Sequence, residues 1–130
     1  MNLVMVVKVM NKTVNILGTE YTIKTVKISE CEYLKEKHWC GCCNGTTKTI
    51  LIGDASEEEY FDKLSPEEQD VVTKDTIRHE IIHAFLNESG LQDSSMQYCN
   101  AWAKNEEMID WMALQFPKIQ KVFVELGCDK

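Results

Sequence analysis

The stretch Ser65-Pro66-Glu67-Glu68-Gln69-Asp70-Val71-Val72-Thr73-Lys74-Asp75-Thr76-Ile77-Arg78-His79-Glu80-Ile81-Ile82-His83-Ala84-Phe85-Leu86-Asn87-Glu88-Ser89-Gly90 organises the rest of the chain. It opens on a helix-start signal. The Ser65 hydroxyl can accept from a free backbone N–H, and Pro66 loses nothing at the first helical position. Glu68 supplies the second half of a capping box, and the acids suit the positive end of the helix dipole. No Gly or Pro follows until Gly90. Ile77, Ile81, Ala84 and Phe85 recur at helical spacing, with Val71 and Lys74 on the upstream extension. The sequence predicts one long helix over 66–88, ended by Gly90.

Upstream, the first third reads as β-structure. Val14 to Leu17 is an apolar-rich run and Gly18 a turn residue. Tyr21, Ile23, Val26 and Ile28 then supply β-branched and aromatic side chains at mostly alternate positions. A cysteine-rich segment spans Cys31 to Gly45. Thr47 to Ile52 reads as another strand, closed by Gly53-Asp54. Downstream, a helix is expected over 100–115, with Trp102, Ile109, Met112 and Phe116 inward. A last helix runs from Pro117 to Leu126 and stops at Gly127. The two prolines, Pro66 and Pro117, both read as helix starts. The expected class is α+β: a small N-terminal antiparallel sheet packed on two or three helices, in one domain over 1–130.

Composition agrees with a folded domain and excludes several functions. The chain has 130 residues, 44% apolar and 27% charged, which is globular rather than disordered. Acids outnumber bases 21 to 14, giving a net charge of −7, so no basic footprint for nucleic acid or anionic membrane is expected. No apolar run approaches the roughly 20 residues that span a bilayer. Residues 1–9 lack the basic start and cleavage site of a signal peptide and read as a strand or tail, with Met10 an alternative start. The six cysteines are therefore expected to be reduced, in a cytoplasmic protein.

Inside the long helix lies His79-Glu80-Ile81-Ile82-His83, which holds two of the chain's three histidines. The i,i+4 spacing puts both imidazoles on one face, one turn apart, where they can bind one metal ion. Glu80 is rotated off that face and can hold a water rather than the metal. This set suits Zn²⁺, with Glu80 taking the water's proton. Ile81, Ile82, Ala84, Phe85 and Leu86 make the helix apolar around the histidines, so the polar groups need partners.

A catalytic zinc needs a third protein ligand. Glu106 and Asp110 lie on the next expected helix, 23 and 27 residues after His83, and share a face. Glu106 can serve as the ligand. Asp110 can accept the second N–H of His79 and fix its tautomer. Trp102, Trp111 and Met112 are expected to bury this helix, whereas Glu107 reads as solvated.

His79-Glu80-Ile81-Ile82-His83 followed by Asn105-Glu106 and Asp110 resembles the gluzincin metallopeptidases, the thermolysin-type family with HExxH and a downstream Asn-Glu-x-x-Ser-Asp. Ile109 stands where that pattern has Ser. The resemblance implies a zinc peptidase with Zn²⁺ on His79, His83 and Glu106, Glu80 as general base and Asp110 behind His79. It implies a peptide or protein substrate lying antiparallel to an edge strand, here Thr47 to Ile52. The family steadies the oxyanion with a downstream His and Tyr. No His follows His83, and Tyr98 is the one tyrosine after the motif. Arg78 to Leu86 and Asn105 to Pro117 are also similar to small phage- and prophage-encoded HExxH proteins. That likeness implies a mobile-element origin and a bacterial host cytoplasm.

Cys31, His38, Cys40, Cys42 and Cys43 lie within thirteen residues. Cys40-x-Cys42 is tighter than zinc-finger spacing and has no second pair, which favours a loop of free thiols. A structural zinc held by these cysteines and His38 is a second reading. A cysteine that reaches the open position of the catalytic zinc is a third. The function readings are a zinc peptidase, a catalytically silent zinc module in which the metal staples two helices, and a repressor-cleaving variant of the first.

Overall fold

The computed structural model describes residues 10–91 and 102–130. Tyr98, Cys99, the Trp102 side chain and residues 1–9 lie outside the described residues. The architecture is α+β, a four-stranded mixed sheet with three α-helices.

Strands β1 (Asn11–Ile16) and β2 (Thr19–Val26) form an antiparallel hairpin. Its two-residue turn, Leu17-Gly18, has positive φ at both positions, 51° and 92°. That backbone matches the right-handed twist of the strands it joins. Asn15 Oδ1 steadies the turn by accepting from the Gly18 N–H at 2.8 Å. The segment expected to be a cysteine-rich loop is instead folded. It holds a short 3₁₀ turn at Ile28–Glu30, helix α1 (Glu32–Lys37) and strand β3 (Gly41–Asn44).

Strand β4 (Thr49–Gly53) follows. The sheet order is β1-β2-β4-β3. β4 pairs parallel with β2 and antiparallel with β3. This corrects the expectation of a wholly antiparallel sheet. The excursion through α1 and β3 carries the chain back before β4 begins, so β4 enters beside β2 in the same direction. It also corrects the expectation that residues 47–52 are the edge. β4 is interior, and β1 and β3 are the edges.

Helix α2 (Pro66–Glu88) matches its sequence expectation. Ser65 Oγ accepts from the Glu68 N–H at 3.2 Å, and Glu68 Oε1 accepts from the Ser65 N–H at 3.0 Å. Gly90 follows with φ of 83°. Ile77, Ile81 and Ala84 lie against Tyr21, Ile23, Ile50 and Ile52, which form the core with Ile16. Phe85, expected in that stripe, is exposed, as is Val71. The far end of α2 is tied to the sheet by Glu88. Its carboxylate accepts from Tyr21 Oη (2.7 Å), Lys48 Nζ (2.6 Å) and Thr19 Oγ1 (2.9 Å).

Helix α3 (Glu106–Glu125) packs on α2, with Ile109 buried beside Leu86, Ile82 and Ala103. It is one helix, not the two expected on either side of Pro117. Proline removes the hydrogen bond to the carbonyl four residues back. Here that carbonyl, of Ala113, accepts from Arg78 Nε at 2.7 Å, so α2 replaces the missing donor. Gly127, φ 69°, follows the last turn as expected. Phe116 and Trp111 are exposed rather than inward; Trp111 stands on the face of α3 turned away from α2, whose contact continues to Ala113. Among the described residues, no helix is long and apolar enough to cross a membrane.

Candidate metal centre

The helical spacing delivers what it promised. His79, Glu80 and His83 form a group that can hold a metal ion, with ligand atoms within 4.8 Å of one another. The Nε2 atoms of His79 and His83 stand 3.1 Å apart. Asn105 caps α3 by accepting from the Met108 N–H at 2.8 Å, which fixes the first turn of that helix. From that turn Glu106 reaches across to both histidines. Its Oε2 lies 3.1 Å from His79 Nε2, and its Oε1 lies 3.1 Å from His83 Nε2. One turn later, Asp110 Oδ1 lies 2.7 Å from His79 Nδ1.

These contacts assign protons. A carboxylate only accepts, so the His79 Nδ1 that faces Asp110 carries a proton; in the neutral ring the Nε2 lone pair then faces His83 and Glu106. Burial lowers the pKa of His83 and outweighs the pull of Glu106, so its ring is neutral at neutral pH. His83 Nε2 holds at most one proton, yet it faces both His79 Nε2 and the Glu106 carboxylate. In that tautomer no proton lies between His79 Nε2 and Glu106 Oε2, a contact that either a second ring proton or a cation at the centre satisfies. The spacing fits as well: tetrahedral ligands about 2.0–2.1 Å from zinc lie about 3.3 Å apart.

Glu80 occupies a different position. It is 6% exposed, and its Oε1 is 3.9 Å from His79 Nε2, off the triangle of the other three groups. Burial pushes its pKa up to about 7, with the carboxylates of Glu106 and Asp110 adding to the rise and His79 opposing it. Glu80 lies beside β3, where Gly41 makes the approach possible. A Cβ on Gly41 would stand 2.9 Å from both the Leu51 carbonyl and Thr76 Cγ2, and 3.4 Å from Glu80 Cγ. Glu106 and Asp110 are 64% and 63% exposed, so the expected aromatic cover over them is absent on the Trp111 side.

A cavity of about 980 Å³ opens over these groups. Its walls include Tyr33, His38 and Trp39 from α1 and its C-terminal cap, the residues of β3, and Asp75. Tyr33 packs edge-on against Trp39, centroids 5.8 Å apart. Neither Tyr33 nor His38 was connected to the histidine motif by the sequence. They precede it by some forty residues, and only the fold, with β3 on the sheet edge beside α2, brings them to the cleft. Tyr98, the tyrosine singled out instead, lies outside the described residues.

The cysteines divide. Cys42 pairs across from Leu51 and Cys43 across from Ile50, so the strand alternation turns them to opposite faces. Cys43 joins the core beside α2. Burial raises the pKa of Cys40, of Cys42 to about 11 and of Cys43 to about 12, which keeps these thiols protonated. Cys31, Cys40, Cys42, Cys43 and Cys128 are all free. Among the described residues, the group of three or more metal-suited side chains converging within 4.8 Å contains no cysteine, and His38 is not in it either.

Compared with protein-family models, curated proteins and solved structures, the chain matches none of them.

Proposed function

We propose that the chain is a zinc-dependent peptidase built on a minimal gluzincin-like plan. The observation that supports it most is the meeting of His79, His83 and Glu106 at 3.1 Å from one another, with Asp110 on the far nitrogen of His79. His79, His83 and Glu106 would hold the zinc. The ion supplies Lewis acidity and makes water acidic near neutral pH. Glu80 takes a proton from water in the cleft and returns it to the leaving amine. Asp110 holds the His79 tautomer. The exposed edge of β3 offers backbone N–H and C=O groups to an extended peptide. Tyr33 and His38, which line the cleft, join Tyr98 as candidate donors to the developing oxyanion. The likeness to phage-encoded proteins rests on the motif residues alone and brings no substrate with it; a repressor-cleaving enzyme would share this chemistry and differ only in target.

The test is metal content and hydrolysis together. Purified protein should carry one zinc per chain, lost in His83→Ala. Wild-type protein should cleave members of a mixed peptide library read by mass spectrometry. Glu80→Gln should keep the zinc and lose cleavage by at least about a hundredfold. Cleavage at full rate in that variant overturns the role of Glu80. Zinc without cleavage favours the second reading, a silent zinc module that staples α2 to α3. The exposure of Glu106 and Asp110 is the observation on that side. Absence of zinc under metal-replete conditions overturns both.

A further inference from the structure

Ile109, Met112, Phe116, Ile119, Phe123 and Leu126 follow one another along α3 and its C-cap in alternating steps of three and four. That is the spacing of a two-helix seam. Its first half is used within the chain, where Ile109 is fully buried against α2. Its second half is not. Phe116, Phe123 and Leu126 are 52%, 48% and 73% exposed. The positions flanking this half are Gln115, Gln120 and Val122, none of them charged, while Lys118, Lys121 and Glu125 fall on the opposite side.

We propose that the second half of the seam is a homodimer interface, formed by two copies of α3 lying antiparallel. A row of this period is complementary to another helix of the same period. Among the described residues, the chain has no helix left for it: α1 has six residues, and α2 already packs on the sheet and on the first half of α3.

The seam is complementary to itself. With a two-fold axis midway between Ile119 and Phe123, Phe116 meets Leu126 of the partner subunit and Ile119 meets Phe123 of the partner subunit. Four layers close with no charge trapped between them. The antiparallel arrangement also puts the two domain bodies at opposite ends of the paired segment, where they do not collide. Phe116, Phe123 and Leu126 each leave on the order of 100 Å² open. With the flanking Gln115, Gln120 and Val122 included, the two copies together bury about 1,000 Å², the lower limit for a specific interface. The dimer is therefore expected to dissociate in the micromolar range. None of this rests on the metal or on peptidase activity.

Sedimentation velocity from about 2 to about 200 µM tests it. The expected result is a shift from the 15.0 kDa monomer to a species of twice that mass across the range. Phe123→Glu should hold the protein monomeric throughout, with its circular dichroism unchanged, because the side chain is at the surface. A wild-type chain that stays monomeric at the top concentration overturns the proposal and leaves the face to another protein or another segment of this chain. A dimer that persists in Phe123→Glu overturns it as well, by placing the interface elsewhere. Mild oxidation reads the orientation. Antiparallel helices hold the two copies of Cys128 far apart, so a disulfide between them as the main cross-link overturns the antiparallel pairing.

Discussion

Asp110 makes one contact to His79, and that contact decides which nitrogen of the ring faces the cleft. Asp110→Asn can turn its amide nitrogen to the ring and stabilise the other tautomer. We expect zinc affinity to fall about 10- to 100-fold with the fold intact, measured by competition against a chromophoric chelator. Glu88 gives a pH prediction. Hydrogen bonds from Lys48, Tyr21 and Thr19 hold its pKa down to about 2, against 4.5 for a free glutamate. A lowered folded-state pKa stabilises the native state above the unfolded value and loses that contribution as pH falls through the folded one. Unfolding midpoints in urea should therefore decline between pH 4.5 and 2, and Glu88→Gln should flatten that decline. Histidines four apart with a glutamate between them announce a metal site within one helix, and Glu106 and Asp110 were legible because their own i,i+4 spacing matched it. Tyr33 and His38 were not legible. Nothing local to α1 records that it will lie across the cleft.

Among the elements, β3 and α2 approach each other through Gly41. Gly41→Ala puts a methyl 2.9 Å from a backbone carbonyl and from Thr76 Cγ2. The helix or the strand must shift, at a cost of about 1–3 kcal/mol measured by chemical denaturation, and zinc affinity should fall with it. The bond from Arg78 to the Ala113 carbonyl gives a second prediction. Arg78→Leu leaves a buried acceptor unpaired and should cost about 1–3 kcal/mol. Pro117→Ala restores the N–H that this carbonyl lacks, so the cost of Arg78→Leu should shrink in that background. A double-mutant cycle reads the difference. The capping box, the turn at Gly18 and the Gly90 stop were all visible in the sequence, because each is decided within a few residues; Leu17, read as strand, belongs to the turn. Pro117 was misread as a helix start because its compensating donor comes from another helix. The parallel pairing of β2 with β4 was missed for a related reason. Strand order depends on where the connecting segment goes, and the cysteine-rich stretch gave no sign of the helix and strand it contains.

At the scale of the molecule, a single centre joins the two long helices. Metal that binds only the native state stabilises it by mass action. Adding a strong chelator should lower the melting temperature of the wild-type protein by several degrees. His83→Ala should melt near the chelated value and show no further response. The arrangement also has a consequence for synthesis. The histidine pair belongs to a helix that ends at Glu88, whereas the carboxylate proposed as the third ligand lies at position 106. A chain emerging from the ribosome presents two imidazoles, on an element that can fold early, well before it can present the third group. During that interval a captured ion is held by half a site and exchanges readily with its surroundings. On the proposed reading, the metal finally kept is decided when α3 docks, by whichever ion the cell supplies at that moment.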